Sequence, residues 1–503
     1  MPQRSDQKKW VNHWGPAVLV CVALLLLRSW FFLAWEESYF NSDQAIVGLM
    51  AKHLAEGRAR PLFFYGQEYM LAVEAWVAAP FIALLGPTVM ALRGALVALN
   101  LATGLLLLKL LVRDAELRLW AAVAASSPFW IAPVVTSSRL VEAQGGNIEP
   151  FLWVLVLWMV RRRPLALGAC LAIAFLNREF SMYALPMLAA AHVLESRHQI
   201  RAVVIDWVSA IISFAIVFTG VQALKPYADL FGPGTAGQPA DTGGQDTFAL
   251  AVQRVHWDPG ELGQRFRALV GDFIPAAFGF QRITPTTLGM ASDVPVGWDR
   301  LAPLAAALAA LALILIVAES RRIVSDRRSW LFPLYLIGIG AIAAGTYALT
   351  RPISPFTMRY GLLVLYVPIG LAAIMLHANR RPLTRRVAAI ALLLLALCSV
   401  TDHVRVLARA VAVPPPAPMR EIETRLEARG VTIAFADYWR AYILTYLSGE
   451  TIKVVSTDFE RIREYKAIAG RKVNGVDPTG VVIQREPCDT GGEKVAGWWL
   501  CDW

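Results

Sequence analysis

Pro16-Ala17-Val18-Leu19-Val20-Cys21-Val22-Ala23-Leu24-Leu25-Leu26-Leu27-Arg28, continuing apolar to Trp35 and followed by Asn41-Ser42-Asp43-Gln44-Ala45, decides how this chain reads. The run supplies the roughly 20 residues that a helix needs to cross a bilayer. It lacks a small-residue cleavage site and leads straight into an acidic stretch, so it reads as a retained anchor, not a removable leader. Asp43 then lies a few residues beyond the outer end of a first membrane helix. Ionisable groups at this depth are costly unless they work. The alternative is that Glu36, Glu37 and Asp43 form only a solvated collar at the membrane edge.

Composition carries the same reading to the whole chain. Of 503 residues, 56% are hydrophobic and 17% are charged. That balance belongs to an α-helical polytopic membrane protein and not to a soluble domain of this length. The net charge of +10 does not imply nucleic acid, because Lys and Arg gather in short clusters between apolar runs, as cytoplasmic loops do. Cys21, Cys170 and Cys398 lie in apolar runs and read as packing residues. Cys488 and Cys501 lie in the polar tail and are either bridged, if the tail faces an oxidising compartment, or separate thiols.

Apolar stretches at 16–35, 88–111, 119–136, 148–160, 164–177, 181–195, 203–224, 301–319, 330–350, 359–377 and 387–404 suggest about eleven crossings, those between 148 and 195 being short. With the N-terminus inside, nineteen Lys and Arg fall in inside segments, from Arg4, Lys8 and Lys9 to Arg385 and Arg386. The short outside loops hold only Arg139, Arg178, Arg351 and Arg359. This asymmetry predicts a cytoplasmic N-terminus and an external tail. It requires that 69–86, apolar but carrying Glu74 and ending in Leu85-Gly86-Pro87, lies at the interface without crossing. Residues 45–56 form a second short helix by spacing.

The expected organisation is a transmembrane unit over 1–413, with large outer loops at 36–87 and 225–300, and a soluble α/β domain over 414–503. The loop at 225–300 has a Gly/Pro-rich middle from Phe231 to Gln245, expected to be mobile, followed by surface-lying helices. After Pro414-Pro415-Pro416 the tail reads as helix (420–429), strand (431–435), helix (439–447) and strand (451–456). It has no Gly-rich phosphate loop. The seven histidines are scattered without ligand spacing and no metal is assigned.

Several motifs resemble one family. Ser42-Asp43-Gln44-Ala45-Ile46-Val47-Gly48-Leu49-Met50-Ala51, Phe63-Phe64-Tyr65-Gly66-Gln67-Glu68-Tyr69-Met70, Glu74-Ala75, Ala79-Pro80, Gly86 and Ala91-Leu92-Arg93 are similar to bacterial members of the GT-C superfamily. The kin are protein O-mannosyltransferase-like and aminoarabinose-transferase-like enzymes that use polyprenyl-phosphate sugars. Met358-Arg359-Tyr360-Gly361-Leu362 and Ala436-Asp437-Tyr438-Trp439-Arg440-Ala441-Tyr442 are further, weaker matches. Many relatives carry Asp-Glu where this chain has Asp43-Gln44, so a metal role for that pair is in doubt.

The resemblance implies an inverting membrane glycosyltransferase. The donor is a lipid-linked sugar, a polyprenyl-phosphate sugar, and the acceptor a hydroxyl of an envelope glycan, lipid or protein. No nucleic acid and no divalent metal are indicated. A hydroxyl is a poor nucleophile and needs a base, and Asp43 is the catalytic candidate. Cations stabilise the leaving phosphate; Arg359 and Arg178, then Arg93 and Arg28 inside apolar runs, are candidates, each alternatively a snorkelling or ion-paired residue. Tyr65, Gln67, Tyr69, Glu74, Glu142 and Glu149 are substrate-binding candidates, with interface aromatics and structural salt bridges as the competing readings. The expected location is the bacterial inner membrane, multi-pass, with the active site on the periplasmic or extracellular face. A transporter or flippase for a lipid-linked saccharide is the alternative, but the inverted symmetry it favours is not evident.

Overall fold

The computed structural model describes residues 4–195, 200–225, 227, 259–284, 295–351, 353–354, 357–473, 480–489 and 491–502. The first apolar run forms α1 (Arg4–Ala34). A helix leaves its last carbonyls unsatisfied, and here Arg93 takes over that end. Its Nη1 donates to Phe32 O at 2.6 Å and Glu36 O at 3.2 Å, and Nη2 to Ser38 O at 3.0 Å. The chain then turns at Tyr39, in the left-handed region at φ 67°, and enters α2 (Ser42–Ala55). Asn41 caps α2, its side-chain oxygen accepting from Gln44 N at 3.1 Å, as Asn does at N-caps.

A short hairpin, β1 (Phe63–Phe64) and β2 (Gln67–Leu71), not foreseen in the outer loop, leads to α3 (Val73–Leu85). The bundle continues with α4 (Val89–Arg113), α5 (Leu119–Trp130), α6 (Val134–Leu140), α7 (Glu149–Val160), α8 (Pro164–Asn177), α9 (Ala184–Glu195) and α10 (Ile200–Gln222). The expected single stretch at 119–136 is two helices bent by 85°. Pro133 explains the break, since it lacks an N–H and disfavours helix in the residue before it.

The chain then forms α11 (Pro259–Ala268), α12 (Ile274–Ala277), α13 (Ala302–Ala318), α14 (Ser320–Ser325) and α15 (Arg327–Thr350). A 3-10 segment (Met358–Leu365) runs into α16 (Tyr366–Leu376), and α17 (Pro382–Ala412) closes the bundle. The stretch 231–245 lies outside the described residues.

Each of the eleven apolar stretches is helical. Among the described residues seven helices are long and apolar enough to cross a membrane, or eight if the bent pair counts as one span. The helices at 149–160 and 164–177 fall short, having 12 and 14 residues, against the roughly 20 a straight crossing needs. α13 is not buried at all across its apolar window, which suits a surface bathed in lipid.

The C-terminal residues form α18 (Pro418–Ala428), β3 (Ile433–Ala436), α19 (Tyr438–Leu447), β4 (Lys453–Ser456), α20 (Arg463–Val473), β5 (Val481–Gln484), β6 (Gly492–Val495) and β7 (Trp498–Asp502). The four elements foreseen are present, and the last four extend the sheet to the order β4-β3-β5-β7-β6. β3 pairs in parallel with β4 and β5, and β7 pairs antiparallel with β5 and β6. Cys488 and Cys501 are bridged. Oxidised protein should therefore show no reactive thiol at either position, and reducing the bond should cost the sheet about 3 kcal/mol. A melting curve of the tail unchanged by reductant would count against that contribution.

This unit docks along α2 and its flanks. Glu37 accepts from the first backbone N–H groups of α18, Met419 at 2.9 Å and Arg420 at 2.7 Å, while Glu36 binds Arg420 Nε at 2.6 Å. The two glutamates are thus docking residues and not a free collar. Further along, Gly48 faces the Tyr446 ring so closely that a Cβ there would lie 2.5 Å from it.

Candidate active site

Asp43 stands at the first turn of α2, half-buried. Its Oδ1 accepts from the Tyr438 hydroxyl at 2.5 Å, while among the described residues Oδ2 accepts no side-chain or backbone hydrogen bond. Burial, followed by the Asp43 charge, holds the Tyr438 phenol well above its ordinary range, so Tyr438 is a donor here. The neighbouring Gln44 is fully buried, and its Nε2 donates to Tyr39 O at 2.6 Å. A carboxylate has no proton to give that carbonyl. Gln44 thereby locks the left-handed Tyr39 turn that aims the start of α2.

The loop between α6 and α7 is the hub beside Asp43. Glu142 accepts from Arg139 Nη1 at 3.1 and 2.9 Å, from Asn41 Nδ2 at 3.2 Å and from Asn147 Nδ2 at 3.3 Å. Arg139 also lies over the Tyr39 ring at 4.5 Å. Two residues on, the Gln144 side-chain oxygen accepts from Arg359. Gly145 and Gly146 then adopt φ values of 74° and 120° and point their N–H groups at Glu74, at 2.6 and 2.9 Å. A side chain at Gly145 would meet Met70 at 2.5 Å. The loop therefore joins α2, α3 and the 3-10 segment carrying Arg359.

Cations converge on one ring. Arg359 lies over Tyr360 at 5.3 Å and Arg351 at 4.4 Å, and Arg178 stacks on Phe180 at 5.3 Å, whose edge meets Tyr360. Arg359 is within electrostatic reach of Asp43. Arg178 lines a small cleft with Tyr69, Asn177 and Glu179. The start of α2, Arg359 and Arg178 thus all border the loop between α6 and α7, through Asn41 and Glu142, through Gln144, and beside Gly146.

Most of the other predicted residues are held in contacts of their own. Arg93 holds the end of α1, as described. Arg28, wholly buried, donates Nη2 to Asn100 Oδ1 at 2.6 Å and lies over Phe129 at 5.4 Å. Glu74 is engaged with the two glycine N–H groups. Glu149 is buried beside it, with neither oxygen in a well-formed hydrogen bond. Gln67 pairs in the hairpin opposite Phe64. Tyr65 is buried, and its hydroxyl meets His53 Nδ1 at 3.1 Å, in a network centred on the tail.

That network holds the far end of α2. Glu450 bonds Lys52 Nζ at 2.6 Å, His53 Nε2 at 3.1 Å, Arg58, and the Tyr465 hydroxyl at 2.9 Å. Burial alone would raise the Glu450 carboxyl, but His53 and then Lys52 outweigh it and hold it well below the usual carboxylate range. A carboxylate lowered on folding stabilises fully above its unfolded value, near 4.5, and loses that contribution as pH falls below it. Docking of the tail should accordingly weaken in acid. Glu450→Gln should cost about 3 kcal/mol and flatten the acid dependence of melting; a variant as acid-sensitive as the wild type would refute this.

Sequence reasoning missed Asn41, Arg139, Gln144 and Arg351 as parts of the site. Tyr438 was visible only as one residue of the tail motif.

No protein-family model and no curated protein matches the chain. Solved structures do match it. ArnT from Cupriavidus metallidurans bound to undecaprenyl phosphate superposes with a TM-score of 0.56 at 11% identity, covering 96% of this chain and 97% of that one. The same protein in its apo state gives a TM-score of 0.55 at 11% identity with the same coverage. The oligosaccharyltransferase AglB from Archaeoglobus fulgidus, in complex with an inhibitory peptide and a dolichol-phosphate, gives 0.47 at 13% identity over 94% of this chain and 70% of that one. With alignment over nearly the full length of both chains, and seven helices among the described residues long and apolar enough to cross a membrane, this is a multi-pass membrane protein that shares the fold of these ArnT structures.

Proposed function

We propose that this chain is an inverting glycosyltransferase. It takes a sugar from a polyprenyl-phosphate donor and passes it to a hydroxyl of an envelope glycan, lipid or protein, at the outer face of the bacterial inner membrane. The observation that carries the reading is Asp43, with one oxygen held by Tyr438 and the other open, within electrostatic reach of Arg359 in the arginine cluster. A fold shared with a protein whose structure holds undecaprenyl phosphate supports the donor class. The transmembrane unit over 1–413 carries the site, and the α/β unit over 414–503 covers it.

In the proposed step the acceptor oxygen attacks C1 of the sugar as its proton passes to Asp43 Oδ2. The C1–oxygen bond to phosphate breaks, and polyprenyl phosphate leaves with the electron pair. Arg359 and Arg178 offset the charge that develops on the phosphate. Tyr69, in the cleft with Arg178, supplies a contact surface for the headgroup. The tail lies outside, consistent with its disulfide.

Mass spectrometry of lipid-linked glycans and envelope polymers from cells with and without the gene tests this. The deletion should accumulate one charged donor lipid and lack one sugar on one acceptor. Identical profiles would overturn the proposal, and saccharide translocation without transfer in liposomes would point to a flippase.

A further inference from the structure

The C-terminal unit contributes more than a cover. Tyr438 begins α19 and is 6% exposed, with every polar group of the residue engaged. Its N–H donates to Asp458 Oδ1 at 2.7 Å, its carbonyl accepts from Ser42 Oγ at 2.5 Å, and its hydroxyl donates to Asp43 Oδ1. Its ring stands edge-on to Tyr442 and Phe459, each at 5.5 Å. Asp437 caps the helix, accepting from Trp439 N at 2.9 Å. On the other side Arg461 reaches the hairpin turn and donates Nη1 to Gly66 O at 2.6 Å. A phenol fixed at so many points has one position for its hydroxyl, and that position is on Asp43.

We infer that Tyr438 is a positioning residue: by holding Asp43 Oδ1 it turns Oδ2 toward the acceptor hydroxyl, so the tail completes the site. This rests on the reading of Asp43 as the base. An exposed Asp rotates freely about its last torsion, and a proton acceptor must sit within hydrogen-bond reach of the proton it takes. The two contacts to α2 act together, because the Ser42 bond fixes the tyrosine backbone while the hydroxyl fixes the carboxylate. The tail is thereby coupled to turnover, and not to donor binding, which belongs to the arginines of the bundle.

The test uses full-length protein in nanodiscs, tritiated undecaprenyl-phosphate hexoses as donor and an envelope extract as acceptor. Tyr438→Phe keeps the ring and removes only the hydroxyl. It should lower kcat by about tenfold or more, with KM for donor and the melting temperature unchanged. In an Asp43→Asn background the same change should produce no further loss, because groups acting as one unit are non-additive. Should Tyr438→Phe melt abnormally, Ser42→Ala is read instead, with a smaller loss confined to kcat. Wild-type kcat in these variants, or a loss that multiplies with Asp43→Asn, would overturn the inference alone. Full turnover by Asp43→Asn itself would remove the base reading and this inference with it.

Discussion

Asp43→Asn is expected to lower sugar transfer by about 10²–10⁴-fold, the range for loss of a general base, while undecaprenyl phosphate still binds. The amide keeps the size of the carboxylate, and its oxygen can still accept from Tyr438, so the site should retain its shape. The measurement is single-turnover transfer alongside donor-lipid binding by native mass spectrometry. Near-normal turnover would sink the assignment. Two other carboxylates near Asp43 are already engaged. Glu142 accepts from Arg139, Asn41 and Asn147, and Glu74 accepts two backbone N–H groups. Moving either onto a substrate proton would strand the donors it now satisfies.

Arg359→Ala is expected to weaken donor-phosphate binding by roughly 30-fold, equivalent to about 2 kcal/mol for a lost hydrogen bond to a charged group. Part of the loss will come through the loop, because the guanidinium also holds Gln144. Arg359→Lys should recover only a fraction, since an ammonium is a point charge and lacks the planar fork that reaches two partners at once. Gln144→Ala, which leaves the charge in place, should cost less than Arg359→Ala. Undecaprenyl phosphate titrated into each variant distinguishes these cases. Equal affinity for Arg359→Ala and wild type would remove Arg359 from the phosphate site and leave Arg178 as its cation.

Much of this molecule follows from local pattern. The positions of the apolar helices, Asp43 just outside the first of them, the short helix at 45–56 and the first four elements of the tail all rest on hydropathy and spacing within a few turns of chain. Such signals need no distant partner, because a run of apolar residues prefers lipid or a helix interior whatever else the chain does. Errors arose where a local break was hidden inside an apolar run, as at Pro133, and where a pair of very short strands, Phe63–Phe64 and Gln67–Leu71, left no alternation to read.

Distant pairing decided the rest. Asp43 and Tyr438 are 395 residues apart, and no periodicity joins them. Arg359, Arg178 and Arg93 were all phosphate candidates in the sequence, yet Arg359 and Arg178 gather around Tyr360 and Phe180, whereas Arg93 closes the end of α1. Glu36 and Glu37 looked like a solvated collar until Arg420 and the start of α18 were seen to lie on them. Gln44 looked like a missing carboxylate until its amide was found holding the Tyr39 carbonyl. In each case the residue type announced a charge or a donor, and the chain's long-range packing chose its partner. A buried polar group is costly until it is paired, and only the folded chain determines which pairs form.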